Sequence, residues 1–274
     1  MRSFGFSDRF INTFFRPFFG GVFLETALET SSRAFDFNFR MFADGRAALP
    51  ARDGRDRGTA GGNASHRHDS HELAHRAIAN KLVAGESGES IVADAVVLAV
   101  DGETAARLAP QHVTAPARWT GNTTLYFETP RSPVSEPTLL LNGSGAGIVN
   151  NVAPISVTQP AYAPAGKSLV AVNLVGAIET ESSKLAAQVI DELATEAKLD
   201  VHGWKLLRVY TIRHALPDQR PAALAEPFKR PRLREGLYVC GDHVDSASID
   251  GALRSGRRAA EAILNDLGVG KAID

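Results

Sequence analysis

The sequence predicts an α/β protein with mixed sheets, and three stretches carry this prediction. Near the end of the chain, a short apolar run at 237–240 precedes a glycine and a pattern of helical periodicity. A hairpin is predicted at 81–92, and a second apolar run, at 95–100, is likewise followed by a helix pattern. Between 120 and 212, several strand-like runs surround one predicted helix at 181–198, whose predicted inner face consists of Leu185, Val189, Leu193 and Ala197. Strands that alternate with helices favour an α/β fold, and consecutive strands add a mixed sheet.

The stretch 236–268 reads as a strand, a turn and a helix directed at a ligand. A short apolar run bounded by glycines is typical of a buried parallel strand. Gly241 lets the backbone approach a ligand because it has no Cβ, and Asp242 follows where open α/β sheets bind ligands. We predict that Gly268 ends the helix. Its predicted inner face consists of Ile249, Leu253, Gly256, Ala260 and Ile263.

Composition is that of an ordinary globular protein, with 44% hydrophobic and 22% charged residues and a net charge of −1. The charge balance gives no reason to expect a nucleic-acid partner, and no protein partner is indicated. The single cysteine, Cys240, excludes an internal disulfide and lies in a predicted core strand. Charged residues, proline and glycines interrupt 1–21, so we expect neither a signal peptide nor a membrane span there. We therefore expect a cytoplasmic protein.

The start of the chain is rich in phenylalanine, with a run at 14–19 and more at helical spacing in 35–42. These rings require burial in a core, in a groove for an apolar substrate, or at an entrance in peripheral contact with a membrane. The core is the usual place for large apolar side chains.

Residues 51–76 differ from the rest of the chain and are predicted to be irregular, because apolar periodicity is almost absent. This segment contains His71-Glu72-x-x-His75, the pattern of zinc peptidases, in which two histidines on one helical face bind zinc and the glutamate acts as base. The extended pattern places its third histidine where Lys81 stands. We therefore predict no metal site here.

The C-terminal stretch resembles the flavin-binding signature of the flavin-containing amine oxidase and phytoene desaturase-like superfamily. That signature is an apolar strand, Gly-Asp or Gly-Glu, a short loop, then Gly-Ala-x-x-Ser-Gly and two alanines. Its positions are filled here by 237–242 and 251–260. The strings FFRPFFGG at 14–21 and LETSS at 28–32 are similar to a part of the same superfamily that lies in the substrate domain.

The resemblance also shows what the sequence lacks. Such enzymes open with a βαβ unit bearing Gly-x-Gly-x-x-Gly, whose helix receives the ADP pyrophosphate. The nearest string here, GSGAGI at 143–148, has isoleucine in place of the third glycine, and no helix pattern follows. We predict a turn between strands there, and a truncated family member with an incomplete Rossmann-like FAD domain and a mixed-sheet substrate domain.

The irregular segment also has a hypothetical origin. Back-translated with GC-rich codons and shifted by one base, 52–56 read Gly-Met-Gly-Ala-Ile, which the superfamily places after Ala-Leu-Pro, here 48–50. We hypothesise that the region from about Asp53 to about His75 is read out of frame. Resequencing of the gene tests this.

Five regions are predicted on this basis. They are a helical segment of the substrate domain (1–50), the irregular segment (51–76), strands and a helix of the FAD domain (77–118), the substrate-domain sheet and helix (119–217), and the C-terminal FAD-binding strand and helix (218–274).

The resemblance implies FAD as cofactor and hydride transfer from a substrate carbon to the flavin. Asp242 would bond the ribityl or pyrophosphate end, and four backbone N–H groups at 249–252 would face the flavin carbonyl and the pyrophosphate. Ser248 stands where amine-binding members have an aromatic residue, so a small hydrophobic substrate is expected instead of an amine. The implied cofactor-binding residues are Gly241, Asp242, Ser248, Ile249, Asp250, Gly251 and Ala252.

No acid or base residue is identified for the reaction. Two alternatives stay open: a non-catalytic remnant that binds no flavin by itself, and the zinc peptidase.

Overall fold

The computed structural model describes residues 1–43, 75–79, 82–85, 90–226 and 228–268. The described residues divide into two compact units. The first comprises those of Met1–Gly62 and Trp119–Leu216, and the second those of Asn63–Arg118 and Pro217–Asp274. The assignment of these units to a substrate domain and a cofactor domain stays a prediction.

Helices occur in both units, and a π-helical stretch, Ile11–Phe15, joins the first two. Among the described residues, none of the helices combines the length and the apolar character that a membrane span requires. The helices are α1 (Asp8–Phe10), α2 (Arg16–Phe23), α3 (Ser32–Ala43), α4 (Gly102–Leu108), α5 (Ile155–Thr158), α6 (Ser182–Thr195) and α7 (Ile249–Asp266).

Within the described residues, the strands form three sheets, with the orders β1-β2-β3, β10-β11-β4 and β6-β7-β8-β5-β9. The first two sheets lie in the second unit and the five-stranded sheet lies in the first. The strands are β1 (His75–Ala79), β2 (Leu82–Gly85), β3 (Ser90–Val92), β4 (Val96–Leu98), β5 (Trp119–Thr129), β6 (Leu140–Leu141), β7 (Asn151–Ala153), β8 (Ser168–Val175), β9 (Lys205–Pro217), β10 (Arg232–Arg234) and β11 (Leu237–Val239).

The phenylalanine-rich start folds into α1, α2 and α3 with an aromatic core. Phe15, Phe19 and Phe23 are at most 4% exposed, and neighbouring rings stack or meet edge to face. This confirms the core as the place of these three rings. Other rings at the start stay exposed, among them Phe4 and Phe42.

In the first unit, α6 packs on the five-stranded sheet as its apolar periodicity predicts. Leu185, Val189 and Leu193 are buried against Leu125 of β5 and Val172 of β8, and β5 pairs with β8 in antiparallel register over eight residue pairs. The prediction that Ala197 continues this face is wrong, because α6 ends at Thr195 and the side chain of Ala197 is exposed.

The string GSGAGI at 143–148 is a turn between β6 and β7, which pair antiparallel, so the turn prediction is confirmed. Gly147 has a φ of +76°, and the side chain of Glu192 fills the space where a Cβ would stand. The Glu192 carboxylate accepts hydrogen bonds from the backbone N–H groups of Ile148 (2.8 Å) and Val149 (2.9 Å). The turn therefore surrounds a carboxylate from its own unit.

In the second unit, β11 lies beside β4 in parallel register, with Val239 opposite Leu98. Helix α4 follows β4, and the carboxylate of Asp101 caps it by accepting hydrogen bonds from the N–H groups of Glu103 and Thr104. This unit confirms the predicted buried parallel strand and the strand followed by a helix. It also confirms the predicted hairpin, formed by β2 and β3.

The predicted irregular segment falls almost wholly outside the described residues, and so does the hypothesis that it is read out of frame. Its last two residues, His75 and Arg76, begin β1, so its predicted end lies two residues too late. His71 and Glu72 of the zinc pattern also lie outside the described residues, and His75 begins a strand, where the pattern requires a helix. Among the described residues, none form a group of three or more potential metal ligands.

Candidate functional site

The site is built at the carboxyl end of β11, where the chain leaves the sheet. The three residues of β11 are buried, and the N–H of Cys240 donates to the carbonyl oxygen of Leu98, which extends the pairing with β4 by one residue. Cys240 is buried, as the sequence predicts, and this burial raises the pKa of its thiol.

Gly241 makes the turn that follows, in a conformation that other residues rarely adopt. Its φ is +146°, and a Cβ at this position would lie 2.7 Å from the Nδ1 and Cε1 atoms of His243. Its N–H donates to the hydroxyl of Ser255, at 2.8 Å. Gly241 thus fixes the path of the chain into the loop that carries Asp242.

Asp242 lines a pocket of about 210 Å³ that belongs wholly to the second unit. Two other aspartates of the pocket wall are paired with arginines: Asp218 with Arg220, and Asp245 with Arg254. Among the described residues, Asp242 has no such partner. Its side chain is 31% exposed. A carboxylate that is reachable and has no arginine partner is suited to accept hydrogen bonds from a ligand.

His243 follows Asp242, and only 3% of its side chain is exposed. Both ring nitrogens are buried, and neither has a hydrogen-bond partner in the part of the chain that the structure describes; Nδ1 lies 3.9 Å from Oδ1 of Asp242. Burial lowers the pKa of His243 and raises the pKa of Asp242. The imidazole is therefore neutral at neutral pH. No pattern in the sequence marks this residue.

The N-terminus of α7 only partly meets its prediction. Ser248 is the N-cap, and its hydroxyl accepts a hydrogen bond from the N–H of Gly251 at 3.0 Å, while the N–H of Ala252 donates to the Ser248 carbonyl. These two N–H groups are used within the protein, which corrects the expectation that they face a ligand. Among the described residues, no acceptor is bonded to the N–H groups of Ile249 and Asp250.

The predicted inner face of α7 is wrong, because the helix buries its small residues. Gly251, Ser255 and Ala259, spaced four apart, are buried, whereas Ile249 is 82% and Leu253 is 70% exposed. Small side chains let the helix approach the rest of the unit closely, and the Ser255 hydroxyl links it to Gly241. Hydropathy alone points to the opposite side. The predicted end of the helix is confirmed, because Gly268 follows it with a φ of +70°.

Asp245 connects the loop to α7 and was also missed by the sequence analysis. Its side chain is 2% exposed and bonds Arg254 at 2.5 Å and Arg258 at 3.1 Å. Both guanidinium groups lie over the ring of Phe228, at 5.8 and 5.6 Å from its centre. A buried carboxylate held by two arginines fixes the loop between Asp242 and Ser248. The spacing of 245, 254 and 258 was visible, but nothing in the sequence paired them.

Comparison with known proteins defines the class of this protein. A family model described as flavin containing amine oxidoreductase matches residues 1–264, and the chain belongs to that family. This confirms the recognised superfamily and FAD as the predicted cofactor. Among curated proteins, no sequence matches this chain at a significant level.

Several solved structures are similar to this chain at low sequence identity. Reduced UDP-galactopyranose mutase matches with a TM-score of 0.51 and 15% identity, over 69% of this chain and 44% of that one. A variant of putrescine oxidase matches with a TM-score of 0.49 and 16% identity, over 70% of this chain and 48% of that one. An oxidoreductase from Methanosarcina mazei matches with a TM-score of 0.48 and 16% identity, over 66% of this chain and 46% of that one. The likeness to the mutase confirms the α/β fold, and the chain spans less than half the length of these structures.

The residues at the pocket fit one part of FAD better than another. Ribityl hydroxyls are hydrogen-bond donors, and a carboxylate is an acceptor. Pyrophosphate oxygens are acceptors themselves and offer no proton to a carboxylate. The pocket is smaller than the roughly 300–1,000 Å³ of complete ligand sites, so it suits a segment of the cofactor.

Proposed function

We propose that this chain carries the ribityl-binding edge of an FAD-dependent oxidoreductase. The flavin, when bound, supplies the chemistry by accepting a hydride from a substrate carbon. The observation that carries the proposal is Asp242, a carboxylate at the carboxyl end of β11 that lines a pocket and has no arginine partner among the described residues. Asp242 accepts hydrogen bonds from ribityl hydroxyls, and the N–H groups of Ile249 and Asp250 face the flavin ring carbonyl.

Replacing Asp242 by asparagine is expected to weaken riboflavin binding about tenfold, because an ionised acceptor makes the stronger hydrogen bond. Quenching of riboflavin fluorescence by the purified chain measures the dissociation constant. Asp218→Asn is the matched control, since Asp218 lines the same pocket but its carboxylate already accepts from Arg220. Affinity should change less than twofold in the control.

A folded wild-type chain that quenches no riboflavin would overturn the proposal and favour the non-binding remnant. Equal losses of riboflavin affinity in the Asp242→Asn and Asp218→Asn variants would also count against it. They would show that the total charge of the pocket, and not Asp242 itself, governs binding.

We also propose a hydrophobic substrate for the complete enzyme. Aromatic side chains on α3 support this class, since Phe37, Phe39 and Phe42 are between 40% and 52% exposed. Apolar compounds are expected to bleach the absorption of protein-bound flavin without oxygen, and primary amines are not. Bleaching by amines alone would contradict the proposed substrate class and leave flavin binding untouched.

A further inference from the structure

We propose that His243 is a positioning residue, which holds the carboxylate of Asp242 in the orientation that receives the hydroxyl groups of a flavin side chain. The proposal rests on the proposed function, because it concerns the same pocket.

The imidazole of His243 is buried without the partners that its nitrogens need. Neither ring nitrogen has a hydrogen-bond partner among the described residues, although leaving a buried polar atom without a partner is unfavourable. Nδ1 lies 3.9 Å from Oδ1 of Asp242, which is beyond a hydrogen bond but within reach of one after a small side-chain rotation. The ring is thus placed for a contact that is not yet made.

The surroundings of the imidazole hold the ring in place beside the carboxylate of Asp242. The ring occupies space left by two glycines: a Cβ at Gly241 would lie 2.7 Å from Nδ1, and one at Gly102 would lie 3.1 Å from Cγ. The ammonium group of Lys229 donates to the carbonyl oxygen of His243 at 3.2 Å and fixes its backbone. Asp242 is the more exposed partner of the pair, and its carboxylate lines the pocket.

The charges around the ring fit this role. Asp242, Lys229 and Asp101 act on His243, and burial outweighs them and lowers its pKa. The neutral ring carries one N–H, and with the proton on Nδ1 it donates to an ionised carboxylate. Such a bond leaves the second oxygen of Asp242 available to a ligand.

The test compares riboflavin with lumiflavin, which has the same ring system but no ribityl hydroxyls. His243→Leu is expected to weaken riboflavin binding about tenfold, which is the contribution of a hydrogen bond to a charged group, and to leave lumiflavin binding unchanged. His243→Asn places an N–H near the position of Nδ1, so riboflavin affinity should return to within about threefold of the wild type. Fluorescence quenching gives each dissociation constant.

The pair is then examined in a double-mutant cycle. If His243 acts through Asp242, His243→Leu should have little further effect on riboflavin binding once Asp242→Asn is present. Additive losses would overturn the proposal, and so would equal losses for both ligands, which indicate a merely structural role. If the wild-type chain binds riboflavin no more tightly than the His243→Leu variant does, the positioning role is overturned and the proposed function stands. Wild-type chain that binds neither ligand overturns the proposed function as well.

Discussion

Gly251→Ala is expected to lower the free energy of unfolding by about 3 kcal/mol, near the upper end for an overpacked site. A Cβ at this position would lie 2.0 Å from the backbone oxygen of Ser246 and 2.5 Å from its hydroxyl oxygen. Backbone atoms cannot turn away as a flexible side chain does, so the start of α7 must move away from the loop. That movement also strains the hydrogen bond between the N–H of residue 251 and Ser248.

Gly256→Ala is the matched control, since it makes the same chemical change in the same helix. No atom lies within 4 Å of a Cβ at this position, so alanine should stabilise the helix by up to about 1 kcal/mol. Urea unfolding followed by circular dichroism measures both variants. Similar shifts in the two midpoints would show that the close contact between Gly251 and Ser246 does not govern stability.

Asp245→Asn is expected to lower the free energy of unfolding by about 2 kcal/mol, because it leaves two arginines without their buried counter-charge. Breaking a fully buried pair by removing one partner costs about 3–5 kcal/mol. Here the side chains of Arg254 and Arg258 are 43% and 31% exposed, and water moderates the loss. The loop between Asp242 and Ser248 should become more mobile, which faster amide hydrogen exchange at Ser246 would reveal.

Glu261→Gln provides the comparison for an exposed pair on the same helix. It removes the contact between Glu261 and Arg257, whose side chains are 52% and 80% exposed, and should cost less than about 0.5 kcal/mol. If Asp245→Asn lowers the free energy of unfolding by no more than Glu261→Gln does, the burial of Asp245 adds nothing to the stability that its ion pairs provide.

Much of the fold follows from patterns that are local in the sequence. The apolar run before Gly241 predicted a buried parallel strand, and the spacing of Leu185, Val189 and Leu193 predicted the inner face of α6. These predictions succeed because burial acts directly on large apolar side chains. The Gly241-Asp242 pair after this run also predicted a ligand site, because ligands bind at strand ends in open sheets.

The inner face of α7 shows where this reasoning fails. Ile249 and Leu253 are exposed, and Gly251, Ser255 and Ala259 are buried. Hydropathy ranks side chains by apolar area, whereas close approach between a helix and a loop selects small ones. The N–H groups of Gly251 and Ala252 failed as ligand contacts for a related reason: the N-cap that satisfies them became apparent only in three dimensions.

By itself, the sequence determined the family, its flavin cofactor, the α/β class and the strand end that carries Asp242, because all of these depend on residues close together in the chain. Only the tertiary structure decided that His243 lies buried beside Asp242 without a partner, and that Asp245 joins Arg254 and Arg258. Such contacts depend on distance and burial. Those quantities exist only once the loop, the strand and the helix are folded together.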